Sequence, residues 1–138
     1  LSEMNRENNR MKIRPLGEKD RATLLLMLIK TRSFTSQEID VAMELIDIVL
    51  RDRNQKDYQV VCAVDDLDQP VGYICYGPTP MTECTFDLYW IATDPAARGK
   101  GVGRTLVGAM EAELRRRGAR RVRHGRRFGV CLRKIIAE

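Results

Sequence analysis

Histidine, clustered metal ligands and long apolar runs are all scarce in this chain. Among 138 residues there is one histidine, His124. A zinc site needs clustered nitrogen and sulfur ligands, so no metal is assigned. The four cysteines, Cys62, Cys75, Cys84 and Cys131, form no C-x-x-C pair. They read as small buried apolar thiols, three of them inside strand-like runs. The longest unbroken apolar run, Leu24 to Ile29, is far short of the roughly 20 residues a membrane-spanning helix needs. It has no signal-peptide frame either, so a cytoplasmic protein without a membrane partner is expected. Acid is missing from one end. Residues 1–114 carry 14 Lys/Arg and 18 Asp/Glu, whereas residues 115–138 carry 10 Lys/Arg and only Glu138. The net charge of +5 therefore belongs to the last stretch. It does not argue for nucleic-acid binding by the whole chain. The arginine-rich run Arg115 to Arg127 reads as a solvated helix end, an edge strand and a tail, with only Phe128 as an aromatic platform. Nucleic acid is not the expected partner; a basic nucleic-acid-binding protein is the weaker alternative.

The elements that are present alternate in period. Residues 1–10 are polar and lack apolar periodicity, as a flexible leader would. Met11 to Leu16 alternates apolar and basic residues and predicts a short strand. Lys19 to Arg32 predicts a helix that is apolar over much of its surface. Ser36 is the expected N-cap of a second helix, in which Ile39, Met43, Ile46 and Leu50 recur at helical spacing. Gln59 to Val64 is β-rich and nearly all apolar, like a strand covered on both faces. Asp65 to Pro70 turns the chain, and Val71 to Tyr76 returns beside it. Glu83 to Thr93 is the longest strand. Simple alternation puts Phe86, Leu88, Trp90 and Ala92 on one face and Asp87, Tyr89, Ile91 and Thr93 on the other. Gly101 to Arg117 predicts a helix closed by Gly118, and Arg120 to Arg123 one more strand. The order β-α-α-β-β-β-α-β implies an α/β fold of the α+β type, a mixed sheet flanked by helices.

One loop carries chemistry. Between the long strand and the third helix runs Asp94-Pro-Ala-Ala-Arg98-Gly-Lys-Gly101-Val-Gly103-Arg104. The first N–H groups of a helix lack intrahelical acceptors and lie at the positive end of its dipole. Gly99, Gly101 and Gly103 permit close backbone approach. Arg98, Lys100 and Arg104 add full positive charge. The implied ligand is a diphosphate. The spacing is not that of a P-loop, G-x-x-x-x-G-K-[S/T]. It is not a G-x-G-x-x-G fingerprint either, because Leu106 or Arg104 stands where the last glycine belongs. What remains is R-x-x-G-x-G, from Arg98, Gly101 and Gly103.

With Trp90-Ile-Ala-Thr-Asp-Pro95 before it and Thr105-Leu-Val after it, this pattern resembles the signature of the GNAT acetyltransferase superfamily. The resemblance covers residues 11–123 and is sharpest over 86–118. It implies a GNAT-like acyl-CoA N-acyltransferase fold. It also implies transfer of an acetyl group from acetyl-CoA, the cosubstrate, to a primary amine by direct attack on the thioester. The backbone of Ile91, Ala92 and Thr93 would hold the pantetheine arm in strand-like fashion. Arg98, Gly99, Lys100, Gly101, Val102, Gly103, Arg104 and Thr105 would surround the pyrophosphate. An N–H near Ile91 would polarise the thioester carbonyl. Counting back from Arg98, Asp87 falls where the histone-acetylating branch carries its base glutamate, so Asp87 is the candidate catalytic base; Glu83 is the reserve. Tyr76 and Tyr89 are nearby hydroxyls without an assigned acid role.

A domain of this family continues after the last strand with a helix and two strands. Here residues 124–138 form an atypical basic tail, so incomplete C-terminal elements are expected. A homodimer in which a second copy completes the sheet would repair the missing edge. The resemblance leaves a second functional alternative, a catalytically impaired acetyl-CoA-binding module.

Overall fold

The computed structural model describes residues 11–124. The leader 1–10 and tail residues 125–138, with Phe128 and Cys131, lie outside the described residues. Five strands form one sheet in the order β1-β2-β3-β4-β5: β1 Lys12–Pro15, β2 Gln59–Val64, β3 Pro70–Pro78, β4 Thr85–Thr93 and β5 Arg121–His124. The first four are antiparallel neighbours, and β5 runs parallel to β4. A parallel neighbour needs a crossover, and the crossover is helix α3, Val102–Arg116. The other helices are α1, Arg21–Thr31, and α2, Ser36–Arg51. The expected element order is observed.

The sheet is covered on both faces. On one, Leu24, Leu28 and Ile46 of α1 and α2 pack on Val60, Cys62, Tyr73 and Trp90. On the other, Val102, Leu106 and Met110 of α3 pack on Ala63, Ile74, Leu88 and Ile91. The β2 residues alternate between the two cores, which explains their nearly continuous apolar run. α1 is apolar beyond its buried stripe: Leu26 and Ile29 stand 51% and 53% exposed. That is why its run reads as one hydrophobic block.

Cys62 and Cys75 are buried as expected, but Cys84 is exposed, just before β4. Two expectations about the elements need correction. Thr35, not Ser36, caps α2. The Thr35 side chain accepts the Glu38 N–H at 3.1 Å, and Glu38 Oε1 accepts the Thr35 N–H at 2.9 Å. This reciprocal box satisfies two otherwise orphaned donors and leaves Ser36 as the first helical residue. The second correction concerns β4. Cys75 pairs with Trp90, but the next β3 residue, Tyr76, pairs with Leu88, so Tyr89 has no residue opposite it. This bulge inserts one residue and reverses the alternation. Phe86 and Leu88 therefore join the α3 core while Trp90 and Ala92 join the α1/α2 core, not one shared face. Likewise Tyr89 packs toward α1 and α2, whereas Ile91 is buried toward α3.

The far edge of the sheet is tied by a buried carboxylate. Asp20, only 1% exposed, accepts Arg14 Nη1 and Nη2 at 2.6 and 2.8 Å and the Gly17 N–H at 2.8 Å. Arg14 Nε also donates to Asp68 at 2.7 Å. One guanidinium thus joins β1, the turn before α1 and the β2–β3 turn. Burial works against the Asp20 charge, yet the Arg14 guanidinium and the Gly17 N–H hold its carboxyl below the usual range.

Candidate active site

The loop after β4 is built by local rules. Asp94 accepts the Ala96 N–H at 2.9 Å, and Pro95 sets the φ of a single 3₁₀ turn, Pro95–Ala97. The Asp94 N–H donates to Val71 O at 2.8 Å, which holds the turn against β3. Gly99 and Gly101 have φ of +79° and +75°, and a Cβ on either would meet nothing within 4 Å. The backbone there is open to a bulky approaching group. Gly101 is the residue before α3 and supplies no capping side chain. The first ladder bond is Thr105 N–H to Gly101 O at 3.0 Å, and the Thr105 hydroxyl donates to the same oxygen at 2.9 Å. The N–H groups of Val102 and Gly103 precede this bond, at the start of the helix where intrahelical acceptors are lacking. The Val102 side chain itself is in the α3 core, 3% exposed, so only its backbone can serve a ligand. Arg98, Lys100 and Arg104 are exposed around the loop.

Gly72 brings this helix end close to the sheet. A Cβ there would lie 2.6 Å from Val102 Cγ1 and 3.0 Å from Ala92 O. Its absence lets the first turn of α3 sit directly on β3 beside β4. Along β4, Ile91, Ala92 and Thr93 pair with Ile74, Tyr73 and Gly72 of β3. The described part of β5 pairs only with Thr85–Leu88. Past Leu88, then, the second edge of β4 has no described strand beside it.

Asp87 lies on β4 opposite Gly77 on one side and Arg123 on the other. It is 9% exposed. Its Oδ1 accepts Arg123 Nε at 2.9 Å, and Oδ2 accepts Nη2 at 3.4 Å. Sequence reasoning did not find this partner. Arg123 was visible as part of a basic strand, but the parallel register that sets it against Asp87 was not. Two aromatic contacts flank the bulge. Phe34, from the α1–α2 connection, lies on Trp90 with ring centroids 5.0 Å apart. Tyr58, from the α2–β2 connection, meets Tyr89 edge-on at 5.3 Å. Burial, with Asp87 nearby, raises the Tyr89 phenol. Burial pushes Tyr76 up to about 12, and its ring lies in the α3 core. The reserve candidate Glu83 is exposed, in the turn before β4.

The basic run is partly neutralised. Arg116 and Arg117 both pair with Glu113, at 2.6 and 2.9 Å, and Arg123 pairs with Asp87. A concavity of about 500 Å³ on α1 and α2 is lined by Arg21, Asp40, Glu44, Asp47 and Arg51, among others, and includes none of the loop or β4 residues. Among the described residues no group of three or more His, Cys, Asp or Glu is placed to hold a metal, and no helix is long and apolar enough to cross a membrane.

The profile of the acetyltransferase (GNAT) family matches residues 25–125, from α1 through β5. The chain belongs to the GNAT acetyltransferase family. A GNAT-family structure from Desulfovibrio desulfuricans is 39% identical, with a TM-score of 0.74 over 80% of this chain and 69% of that one. A GNAT acetyltransferase from Brucella melitensis, solved with acetyl-CoA, is 24% identical, with a TM-score of 0.61 over 80% and 71%. The PaiA N-acetyltransferase from Thermoplasma acidophilum, solved with coenzyme A, is 18% identical, with a TM-score of 0.63 over 78% and 74%. At these identities the last two share the fold. No curated protein matches the chain.

Proposed function

We propose that this GNAT domain binds acetyl-CoA and transfers its acetyl group to a primary amine. The observation that carries the reading is the uncapped start of α3. Open glycines and exposed cations surround it, and β4 lies beside it without a described neighbour past Leu88. The N–H groups of residues 99–104, with Arg98 and Arg104, suit a pyrophosphate. The backbone of Ile91, Ala92 and Thr93 suits the amide-bearing arm of the coenzyme, as one strand suits another.

The chemistry asked of the protein is modest. The neutral amine nitrogen attacks the thioester carbonyl carbon, a C–N bond forms, the C–S bond breaks, and coenzyme A leaves as the thiol, its sulfur keeping the C–S electron pair and gaining the proton that the nitrogen sheds on becoming an amide. An ammonium cannot attack, so a proton must first leave the nitrogen. Asp87 is the acceptor for that proton, directly or through one water, because it is the buried carboxylate on the reacting strand. A backbone N–H near Ile91 stabilises the charge that grows on the carbonyl oxygen.

Two measurements test this. Acetyl-CoA at a hundredfold excess over Kd should stabilise the chain by about 2.7 kcal/mol and raise its melting temperature. A flat melt at saturating acetyl-CoA would sink the reading at its base. Thiol release in the presence of an amine panel then reports turnover; a melt shift without thiol release would leave a coenzyme-binding module. Asp87→Asn should lower kcat by about 10² or more while the KM for acetyl-CoA stays within a fewfold. An unchanged kcat would remove Asp87 from the reaction.

A further inference from the structure

The base candidate is held by a residue that no account of the coenzyme site requires. Across the parallel ladder Asp87 faces Arg123, and the guanidinium approaches side-on, with Nε on one carboxylate oxygen and Nη2 toward the other. The two partners differ in burial: the Asp87 side chain is 12% exposed and the Arg123 side chain 57%. The cation is thus on the solvent side of the carboxylate. The residue opposite on β3 is Gly77, which offers no side chain to steady Asp87. The space over Gly77 is taken by the Asp57 carbonyl and the Tyr89 ring, and among the described residues Arg123 is the side chain that hydrogen-bonds the carboxylate. The pair also sits at a structural boundary: the bulge at Tyr89 begins two residues on, and the described β5 ladder ends one pair later, at Leu88 and His124.

A carboxylate offers about four lone-pair directions, and a side-on guanidinium uses two. The other two remain for an amine proton or a relaying water. Without Arg123, a carboxylate on a single methylene beside a bulge would be free to turn toward solvent. We propose that Arg123 is a positioning residue for acetyl transfer, fixing the Asp87 carboxylate at the end of the β4–β5 ladder. The proposal rests on the reading of Asp87 as the base. It predicts that Arg123 acts on turnover only through Asp87. A plain strand staple would act on stability whether Asp87 is present or not.

The test is a double-mutant cycle on the full chain, following thiol release at saturating acetyl-CoA with an amine that the unsubstituted chain acetylates. Arg123→Gln should lower kcat by about tenfold, the effect of losing one charge-assisted contact, and leave the KM for acetyl-CoA within a fewfold. Arg123→Lys, which keeps the charge but not the fork, should recover part of the loss. In the Asp87→Asn background, Arg123→Gln should have no further effect on kcat. Melting temperatures of all four proteins show whether folding is intact. If Asp87→Asn lowers kcat but Arg123→Gln does not, or adds its full effect in both backgrounds, the positioning role is overturned and the base survives. A faster Arg123→Gln variant would also overturn it, since the guanidinium would then only compete with the incoming proton. If Asp87→Asn itself leaves kcat unchanged, both the base and its positioning residue are overturned.

Discussion

On the α3 side of the sheet, a single amphipathic helix lies along the strands and its first turn rests over Gly72. On the other side, two helices and their connections cover the sheet, and the connections reach back to β4 through single rings, Phe34 on Trp90 and Tyr58 on Tyr89. The first side presents backbone: N–H groups, glycines and a helix end. The second presents side chains: aromatic rings and, at the ladder's end, a carboxylate with its arginine. A coenzyme shared by many enzymes can be held by backbone, which tolerates variation in side chains. An acceptor has to be recognised by side chains. The bulge at Tyr89 turns Leu88 and Ile91 to one core and Tyr89 and Trp90 to the other, and on the function proposed above it would divide the strand between these tasks.

The division can be broken from the proposed acceptor side with the largest effect. Phe34→Ala removes a half-buried ring from Trp90 and should cost about 2–3 kcal/mol in chemical denaturation. Its kinetic signature should be a raised KM for the amine with a nearly unchanged KM for acetyl-CoA. An equal rise in both would show that the two sides are not independent. From the α3 side, Gly72→Ala places a methyl 2.6 Å from Val102 Cγ1 and 3.0 Å from Ala92 O. Valine is stiff and the carbonyl belongs to the ladder, so the first turn of α3 must move. The expected cost is about 1–2 kcal/mol, with a weakened melt response to acetyl-CoA and an unchanged KM for the amine.

Much of this arrangement was legible in the sequence because it is local. The positions of Asp94, Pro95, Gly99 and Gly101 each express a backbone requirement that the chain states within a few residues. β2 announced its two covered faces by an unbroken apolar run. Gly118 announced the end of α3: its φ is +78°, and the N–H of Ala119 reaches Leu114 O at 2.9 Å, as a left-handed C-terminal cap requires. What was not legible depends on register. Nothing between Thr85 and Thr93 marks Tyr89 as the extra residue, so strict alternation misassigned Leu88 and Ile91. The Asp87–Arg123 pair needs the register of a parallel ladder whose strands are separated by the whole of α3. The Arg14–Asp20–Asp68 tie spans 54 positions and was missed for the same reason. The cap of α2 slipped by one residue because Thr35 and Ser36 carry equivalent hydroxyls; Glu38, three residues after Thr35, decides between them.

The smallest change tests whether the coenzyme side is a matter of backbone alone. Gly101 has φ +75°, with open space where a Cβ would point. Gly101→Ala therefore meets no clash, and its cost is the left-handed conformation itself, about 1 kcal/mol. If the residue relaxes to negative φ to escape that cost, the entry to α3 turns and the N–H groups at the start of the helix shift with it. Acetyl-CoA affinity should then fall more than stability does. If instead the strained conformation holds, stability should fall by the full amount and affinity should not change. The ratio of the two losses, read from melts with and without acetyl-CoA, shows whether the loop's geometry is set by the glycine or imposed by Asp94, Pro95 and the packing of Val102 beneath it.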